Sequence, residues 1–247
     1  MNLIQTRSFQ LAAYIRGDIN SVKLALVLPG RLDTKDYAHM RSAADYLSSK
    51  DYYAVSFDPP GTWESPGNID LYTVTNYHAA INELIEYFGN RSTLLVGHSN
   101  GGKLAMLVGT TNPHVKLFVA AMALNGPTTV DLPTATGEVN VSYRDIPPGT
   151  SRTSEQQKFE LPFSYFEDQQ QYDALEDLKK CTKPKLFFYG TKDVLSTPEQ
   201  VQNMFEATAE PKEIHEVNSE HDYRLHADIM DEVNQTIGKF IEKYETV

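Results

Sequence analysis

Residues 93–110, with the sequence TLLVGHSNGGKLAMLVGT, decide the fold of this chain. The apolar run Thr93–Val96 has the character of a strand, and Gly101–Thr110 has the character of a helix. Between them, the sequence Gly97-His98-Ser99-Asn100-Gly101 fits the pattern G-x-S-x-G. In this pattern a sharp turn exposes a serine hydroxyl, and the flanking glycines remove Cβ atoms that would clash. We therefore predict that Ser99 is a nucleophile on a turn between a buried strand and a helix.

Strand-like and helix-like segments alternate on both sides of this motif. The predicted strands are Tyr53–Phe57, Thr93–Val96, Val115–Leu124, Lys185–Tyr189 and Ile214–Val217. The predicted helices are Asp36–Ser49, Asn76–Phe88, Gly101–Thr110, one that starts near Pro198, and Ala227–Tyr244. This alternation predicts the α/β class, with a mostly parallel central sheet and helices on both of its faces.

Two regions depart from the alternation. Phe9–Arg16 and Val22–Leu28 flank turn-forming residues, so we predict a hairpin at an antiparallel edge of the sheet. The stretch from Gly126 to about Gln171 is rich in Pro, Thr, Gly and charge, and only Glu138–Tyr143 alternates as a strand does. We interpret residues 126–171 as a small cap insertion within a single domain, 1–247.

Composition excludes several classes of partner. The chain has 247 residues and a formal net charge of -11, which repels nucleic acid and anionic membrane surfaces. Its single cysteine, Cys181, excludes an intramolecular disulfide. The first residues lack the features of a secretory signal, and no apolar run is long enough for a membrane helix. We therefore expect a cytoplasmic protein that binds neither nucleic acid nor membranes.

A serine nucleophile needs a base and a carboxylate further along the chain. Asp193 follows the apolar strand KLFFYG, and His221 lies between the last strand and the last helix. We predict that His221 is the general base and that Asp193 orients it. Asp58, at the end of an earlier strand, is the alternative acid, and His226 is the alternative base.

An acyl-transfer site also needs backbone donors for the developing oxyanion. We predict one donor at Asn100 and the other at Arg31, with Leu32 as the alternative to Arg31. The Arg31 side chain could bind a substrate carboxylate or pair with a surface acid such as Asp33. We favour the pairing with Asp33, because exposed charges usually serve solubility.

The chain resembles the α/β-hydrolase superfamily in the motif around Ser99, in LPGRLDTKDY (28–37) and in SFDPPGTWES (56–65). It departs from the family pattern at Pro29, where many members have histidine, and at Trp63, where they have glycine. Residues 166–195 are similar to small carboxylesterases of the dienelactone-hydrolase, feruloyl-esterase and serine-aminopeptidase neighbourhood. The resemblance implies hydrolysis of an ester or amide through an acyl-enzyme, without a metal or an organic cofactor.

We therefore expect a serine hydrolase that acts on a small-molecule carboxylic ester. The same residues also fit an acyltransferase, an aminopeptidase-like amidase, or a member of the fold that binds a ligand without turnover. Aromatic residues of the cap would either line the substrate pocket or pack the cap onto the sheet: Tyr143, Phe159, Phe163, Tyr165 and Phe166. The oligomeric state stays open, a homodimer included.

Overall fold

The computed structural model describes residues 2–127, 139–147 and 153–245. A central sheet of eight strands runs through the described chain in the order β1-β2-β4-β3-β5-β6-β9-β10. These strands are β1 (Asn2–Gln5), β2 (Gln10–Arg16), β3 (Lys23–Leu28), β4 (Tyr53–Phe57), β5 (Ser92–His98), β6 (Val115–Ala121), β9 (Lys185–Gly190) and β10 (Lys212–Val217). Neighbours from β4 to β10 are parallel, whereas β1 and β2 are antiparallel. The mostly parallel sheet is confirmed.

Helices cover both faces of this sheet, as predicted. The helices are α1 (Ala38–Ser48), α2 (Val74–Tyr87), α3 (Asn100–Thr111), α4 (Phe163–Gln169), α5 (Leu175–Leu178), α6 (Pro198–Ala207) and α7 (Ala227–Tyr244). Buried side chains of α1 and α7 share one core cluster, and those of α2 and α3 share the other. Because the strands from β4 to β10 are parallel, their carboxyl ends meet at one edge of the sheet, where functional sites in such sheets are found.

Strand β3 shows how the sequence builds the two cores. Leu24, Leu26 and Leu28 face the core beneath α2 and α3, whereas Ala25 and Val27 face the core beneath α1 and α7. All five are fully buried, and each leucine contributes about 1.5–3 kcal/mol of apolar burial. A strand buried on both faces must be apolar at every position.

The hairpin predicted near the amino terminus is wrong. Strand β2 pairs with β1 and with β4 rather than with β3, and Ala13 lies opposite Phe57 in the antiparallel β2–β4 ladder. The turn residues 17–20 do reverse the chain, but β4 lies between the two strands that this turn connects. Turn-forming residues predict that the chain reverses direction, but they do not specify which strand pairs with β2.

The segment interpreted as a cap contains a separate two-stranded sheet, β7 (Val139–Asp145) with β8 (Gln156–Pro162), followed by α4. The strand predicted at 138–143 corresponds to β7, and β8 was not predicted. Residues 128–138 and 148–152 of this segment lie outside the described residues. Within the described residues, no helix combines the length and the apolar character that crossing a bilayer demands.

Candidate active site

Ser99 occupies a strained turn between β5 and α3. Its backbone has φ 53° and ψ -119°, a conformation that residues other than glycine rarely adopt. A Cβ at Gly97 would lie 2.1 Å from the carbonyl oxygen of Gly101, and a Cβ at Gly101 would lie 2.0 Å from that of Leu28. The glycines predicted from the motif are therefore required by backbone contacts.

The structure brings the three predicted side chains into one hydrogen-bonded row. His221 Nε2 lies 2.8 Å from Ser99 Oγ, and His221 Nδ1 lies 2.8 Å from Asp193 Oδ2. His221 is carried by the loop after β10, and Asp193 by the loop after β9. This is the geometry in which an imidazole removes a serine proton while a carboxylate fixes its tautomer.

Asp193 is held as an ionised carboxylate by several donors. Its side chain is fully buried, and Oδ1 accepts hydrogen bonds from the backbone N–H groups of Leu195 (2.8 Å) and Ser196 (3.0 Å). Ser196 Oγ donates to Oδ2 at 2.6 Å. Burial alone would raise the pKa of Asp193, but the hydrogen bonds from His221 and Ser196 bring it below its usual value. The sequence analysis did not predict this contact of Ser196.

The alternative acid and base lie elsewhere. Asp58 is fully buried and accepts hydrogen bonds from Thr34 Oγ1 (2.7 Å) and the Lys35 N–H (2.9 Å), so it organises the loops after β3 and β4. His226 Nε2 lies 3.0 Å from the carboxylate of Glu220. Neither side chain contacts Ser99 within the described part of the chain.

The loop expected to supply an oxyanion donor is fixed by three side chains. Tyr72 Oη accepts from the Leu32 N–H at 3.2 Å, and Trp63 Nε1 donates to the Leu32 carbonyl at 2.9 Å. Arg144 Nη2 donates to the Arg31 carbonyl at 2.9 Å. The Leu32 N–H is therefore taken, whereas the Arg31 and Asn100 N–H groups donate to no acceptor among the described residues. This favours Arg31 over Leu32 as the predicted donor.

Behind the triad lies a buried polar cluster that the sequence analysis did not find. His98 Nε2 donates to the backbone carbonyl oxygen of His221 at 2.9 Å, and this hydrogen bond fixes the loop that carries His221. Nδ1 of His98 lies 3.5 Å from Asp33 Oδ2. Burial lowers the pKa of His98, but Asp33 more than offsets this, so the net pKa is raised. His39 adjoins the cluster, and burial lowers its pKa strongly. One ligand atom each from Asp33, His39 and His98 lies within 4.8 Å of the others, so this group could hold a metal ion.

Ser99 lies between two cavities. The first, which we call the Lys103 cavity, has a volume of about 90 Å³. It is lined by Arg31, Ser99, Asn100, Lys103, Met122, Ala123, Leu124, Gly126, Tyr165, Gln169, Leu195, Ser196 and His221. The second, the Asp33 cavity, has a volume of about 390 Å³. It is lined by Arg31, Asp33, His98, Ser99, Arg144, Lys192, Val194, Leu195, Glu220, His221 and Asp222.

The pairing of Arg31 with Asp33 that the sequence favoured is wrong. Asp33 lies beside Arg144 Nε, at 3.7 Å, and beside His98. Arg31 Nη1 is buried without a hydrogen-bond partner, and Arg31 lines both cavities. Sequence proximity suggested the pair, but Arg144, which is distant in sequence, supplies the cation.

The cap aromatics divide between packing and lining. Tyr165 lines the Lys103 cavity and stacks on Tyr72, with ring centroids 5.2 Å apart. Phe159 packs edge-on against Trp63, and Phe166 is buried. Tyr143 is exposed.

Comparison with known proteins gives the family. A family model described as alpha/beta hydrolase fold matches residues 25–161, which is more than half of the chain. The chain therefore belongs to the alpha/beta hydrolase fold family, and the resemblance inferred from the sequence is confirmed. Family membership supports the coarse assignment as a hydrolase of the α/β fold.

Individual relatives are distant. The chain is 24% identical over 229 residues to the mitochondrial palmitoyl-protein thioesterase ABHD10 of Bos taurus, covering 90% of this chain and 74% of the relative. It is similar to Est1E from Butyrivibrio proteoclasticus, solved with ferulic acid bound, at 17% identity and a TM-score of 0.75, covering 99% of both chains. It is also similar to the Pyrococcus furiosus esterase Pf2001, at 19% identity and a TM-score of 0.71, covering 98% of this chain and 91% of the other. At this identity, the two structures show a common fold.

Proposed function

We propose that this protein is a serine hydrolase that cleaves a small-molecule carboxylic ester, or a related acyl bond, through an acyl-enzyme. The observation that carries the proposal is the row Ser99–His221–Asp193, with 2.8 Å at each of its two contacts and with Ser99 on a strained turn. A strained backbone that exposes a hydroxyl beside an imidazole costs stability, and such strain typically persists at functional sites.

The chemistry follows from the positions of the atoms. Ser99 Oγ attacks the substrate carbonyl while His221 Nε2 takes its proton, and the tetrahedral oxyanion lies against the Arg31 and Asn100 N–H groups. His221 then gives the proton to the leaving alcohol as the C–O bond breaks. Water attacks the acyl-enzyme with the same base, and Ser99 regains its proton as the acid product leaves. Asp193 stays ionised throughout and stabilises the imidazolium.

Thioesters fall within the same proposal, because the attacking and activating groups are the same for an oxygen or a sulfur leaving group. The name of the bovine relative, a palmitoyl-protein thioesterase, supports including them. The small volume of the Lys103 cavity, about 90 Å³, favours a short group on that side of Ser99. We therefore expect esters with a short group on one side of the scissile bond to be better substrates than esters with long groups on both sides.

The experiment is hydrolysis of nitrophenyl esters graded by acyl length, with a feruloyl ester, acyl thioesters and aminoacyl amides alongside. The variant Ser99→Ala should lose turnover by roughly 10⁴-fold or more, because removing the nucleophile of such a triad has effects of this size. Its thermal unfolding should stay close to that of the wild type. Wild-type rates in folded Ser99→Ala would remove Ser99 from the mechanism.

A further inference from the structure

Two cations line the Lys103 cavity beside the proposed nucleophile. Arg31 lies on the loop after β3, and Lys103 lies on the first turn of α3, where its N–H donates to the Ser99 carbonyl at 3.1 Å. The lining also includes the apolar residues Met122, Ala123 and Leu124. The cavity therefore presents positive charge and apolar surface within reach of one hydroxyl.

Arg31 has no anionic partner in the part of the chain that the structure describes. Its Nη1 is buried and makes no hydrogen bond, and no carboxylate of a described residue lies within ion-pair distance of its guanidinium. Asp33, the acid closest in sequence, lies against Arg144 and His98 instead. A buried donor without an acceptor costs about 1–3 kcal/mol, and more when it is charged.

Lys103 is also unpaired within the described residues. Its side chain is buried, with 4% exposure, and no carboxylate of the residues that the structure describes lies within 4 Å of its ammonium. Burial lowers the pKa of Lys103 to about 8, because the fields of Asp168 and Asp173 oppose this effect only in part and Arg31 adds to it. Asp173 is committed elsewhere, since it accepts from Asn125 Nδ2 at 2.6 Å and from the Leu175 N–H at 2.8 Å.

Buried cations elsewhere in the protein do have partners. Lys35 Nζ contacts the carboxylates of Asp36 and Glu64, each at 2.6 Å. Lys185 Nζ donates to the carbonyl oxygens of Cys181 and Ala209, each at 2.7 Å. In the Lys103 cavity, by contrast, Arg31 and Lys103 have no acidic partner among the described residues.

We propose that the Lys103 cavity is a carboxylate-binding subsite and that the substrate is a short ester or thioester that also carries a carboxylate. Arg31 offers a planar donor pair that matches a carboxylate, and Lys103 adds a second positive charge. The apolar lining residues Met122, Ala123 and Leu124 accommodate the short methylene chain between the carboxylate and the scissile carbonyl. This inference rests on the proposed function, because it names the substrate class for the same Ser99 site.

The test compares two esters that differ in charge but hardly in shape. Butyl hydrogen succinate carries a carboxylate where butyl levulinate carries a methyl ketone, and both release butanol. At pH 7 we expect kcat/KM to be at least tenfold higher for the succinate half-ester, because a charge-assisted contact contributes roughly tenfold or more. A second pair, 2-carboxyethyl butyrate and 3-oxobutyl butyrate, places the carboxylate on the alcohol instead. A preference in one pair supports the subsite and shows which part of the substrate occupies it.

Variants assign the preference to the two cations. In Arg31→Gln and in Lys103→Met, the ratio of anionic to neutral kcat/KM should fall towards one, and the ratio cancels any general loss of activity. Lys192→Gln is the matched control, because Lys192 is an exposed cation of the Asp33 cavity, and it should keep the wild-type ratio. Equal rates in both substrate pairs, or a preference that survives both variants, would overturn the subsite.

Binding to Ser99→Ala separates this inference from the proposed function. Calorimetric titration of that variant should show tighter binding of butyl hydrogen succinate than of butyl levulinate, and the additional change Arg31→Gln should remove the difference. If the wild type hydrolyses no ester, the proposed function fails, while this binding difference would still support the subsite. If hydrolysis proceeds without charge preference and the two esters bind equally well, the subsite fails and the proposed function stands.

Discussion

The two cavities beside Ser99 treat charge in opposite ways. In the Asp33 cavity, Asp33 lies 3.7 Å from Arg144 and 3.5 Å from His98, so opposite charges compensate one another. In the Lys103 cavity, Arg31 and Lys103 have no such partner among the described residues. Paired charges of this kind fix the loops that carry them, because each charge has its partner in the protein before any substrate binds. Uncompensated charges cost stability until a ligand arrives, so this difference separates a positioning side from a recognition side.

The largest effect should follow from changing His221, which lines both cavities. His221→Asn should lower kcat by roughly 10⁴-fold or more on charged and neutral esters alike, because the base is lost for every substrate. His226→Asn is the matched control, since His226 pairs with Glu220 outside the triad, and it should retain activity. Steady-state kinetics of both variants measure this. Comparable losses in the two variants would contradict the assignment of the base.

A second, smaller effect should arise on the positioning side. Asp33→Asn leaves His98 and Arg144 without their anion, so we expect a loss of about 3 kcal/mol in the free energy of unfolding. The rates of hydrolysis of butyl hydrogen succinate and of butyl levulinate should both fall, because His98 donates to the backbone carbonyl of His221. Their ratio should stay near the wild-type value. A selective loss on the succinate half-ester would mean that Asp33, rather than the Lys103 cavity, governs charge recognition.

The smallest expected effect is a change of selectivity with pH. Lys103, with its pKa lowered to about 8, is charged below that pH and neutral above it. Burial raises the pKa of Tyr165, so that phenol stays neutral over this range. The anionic-to-neutral ratio of kcat/KM should therefore fall several-fold as the pH rises from 6.5 to 9.5, and Lys103→Met should flatten the profile. A flat wild-type profile would remove Lys103 from recognition.

The sequence predicted the parts of this molecule that depend on local chemistry. The motif around Ser99 requires glycines because neighbouring backbone lies within 2.1 Å of their absent Cβ atoms, and that requirement is visible in the sequence. The carboxyl ends of parallel strands share one edge, so Asp193 and His221 could be placed near Ser99 from strand order alone. The same reasoning predicted the mostly parallel sheet.

The parts that failed depend on pairings between distant residues. β4 lies between β2 and β3, which no local turn pattern reveals. Asp33 lies against Arg144, a residue of strand β7, rather than against its sequence neighbour Arg31. Lys103 lies in a predicted helix, and the sequence does not distinguish it from a surface lysine. Its exposure of 4% in the structure does. Such facts follow from packing, which a single sequence does not specify residue by residue.

The nucleophilicity of Ser99 is the central claim, and covalent labelling tests it most directly. The folded protein would be incubated with a fluorophosphonate probe near pH 7.5, digested, and analysed by mass spectrometry for the modified peptide. We predict stoichiometric modification of Ser99, with labelling strongly slowed in His221→Asn and unchanged in His226→Asn. A folded wild-type protein that stays unmodified at Ser99, or that is labelled at another serine, would contradict it.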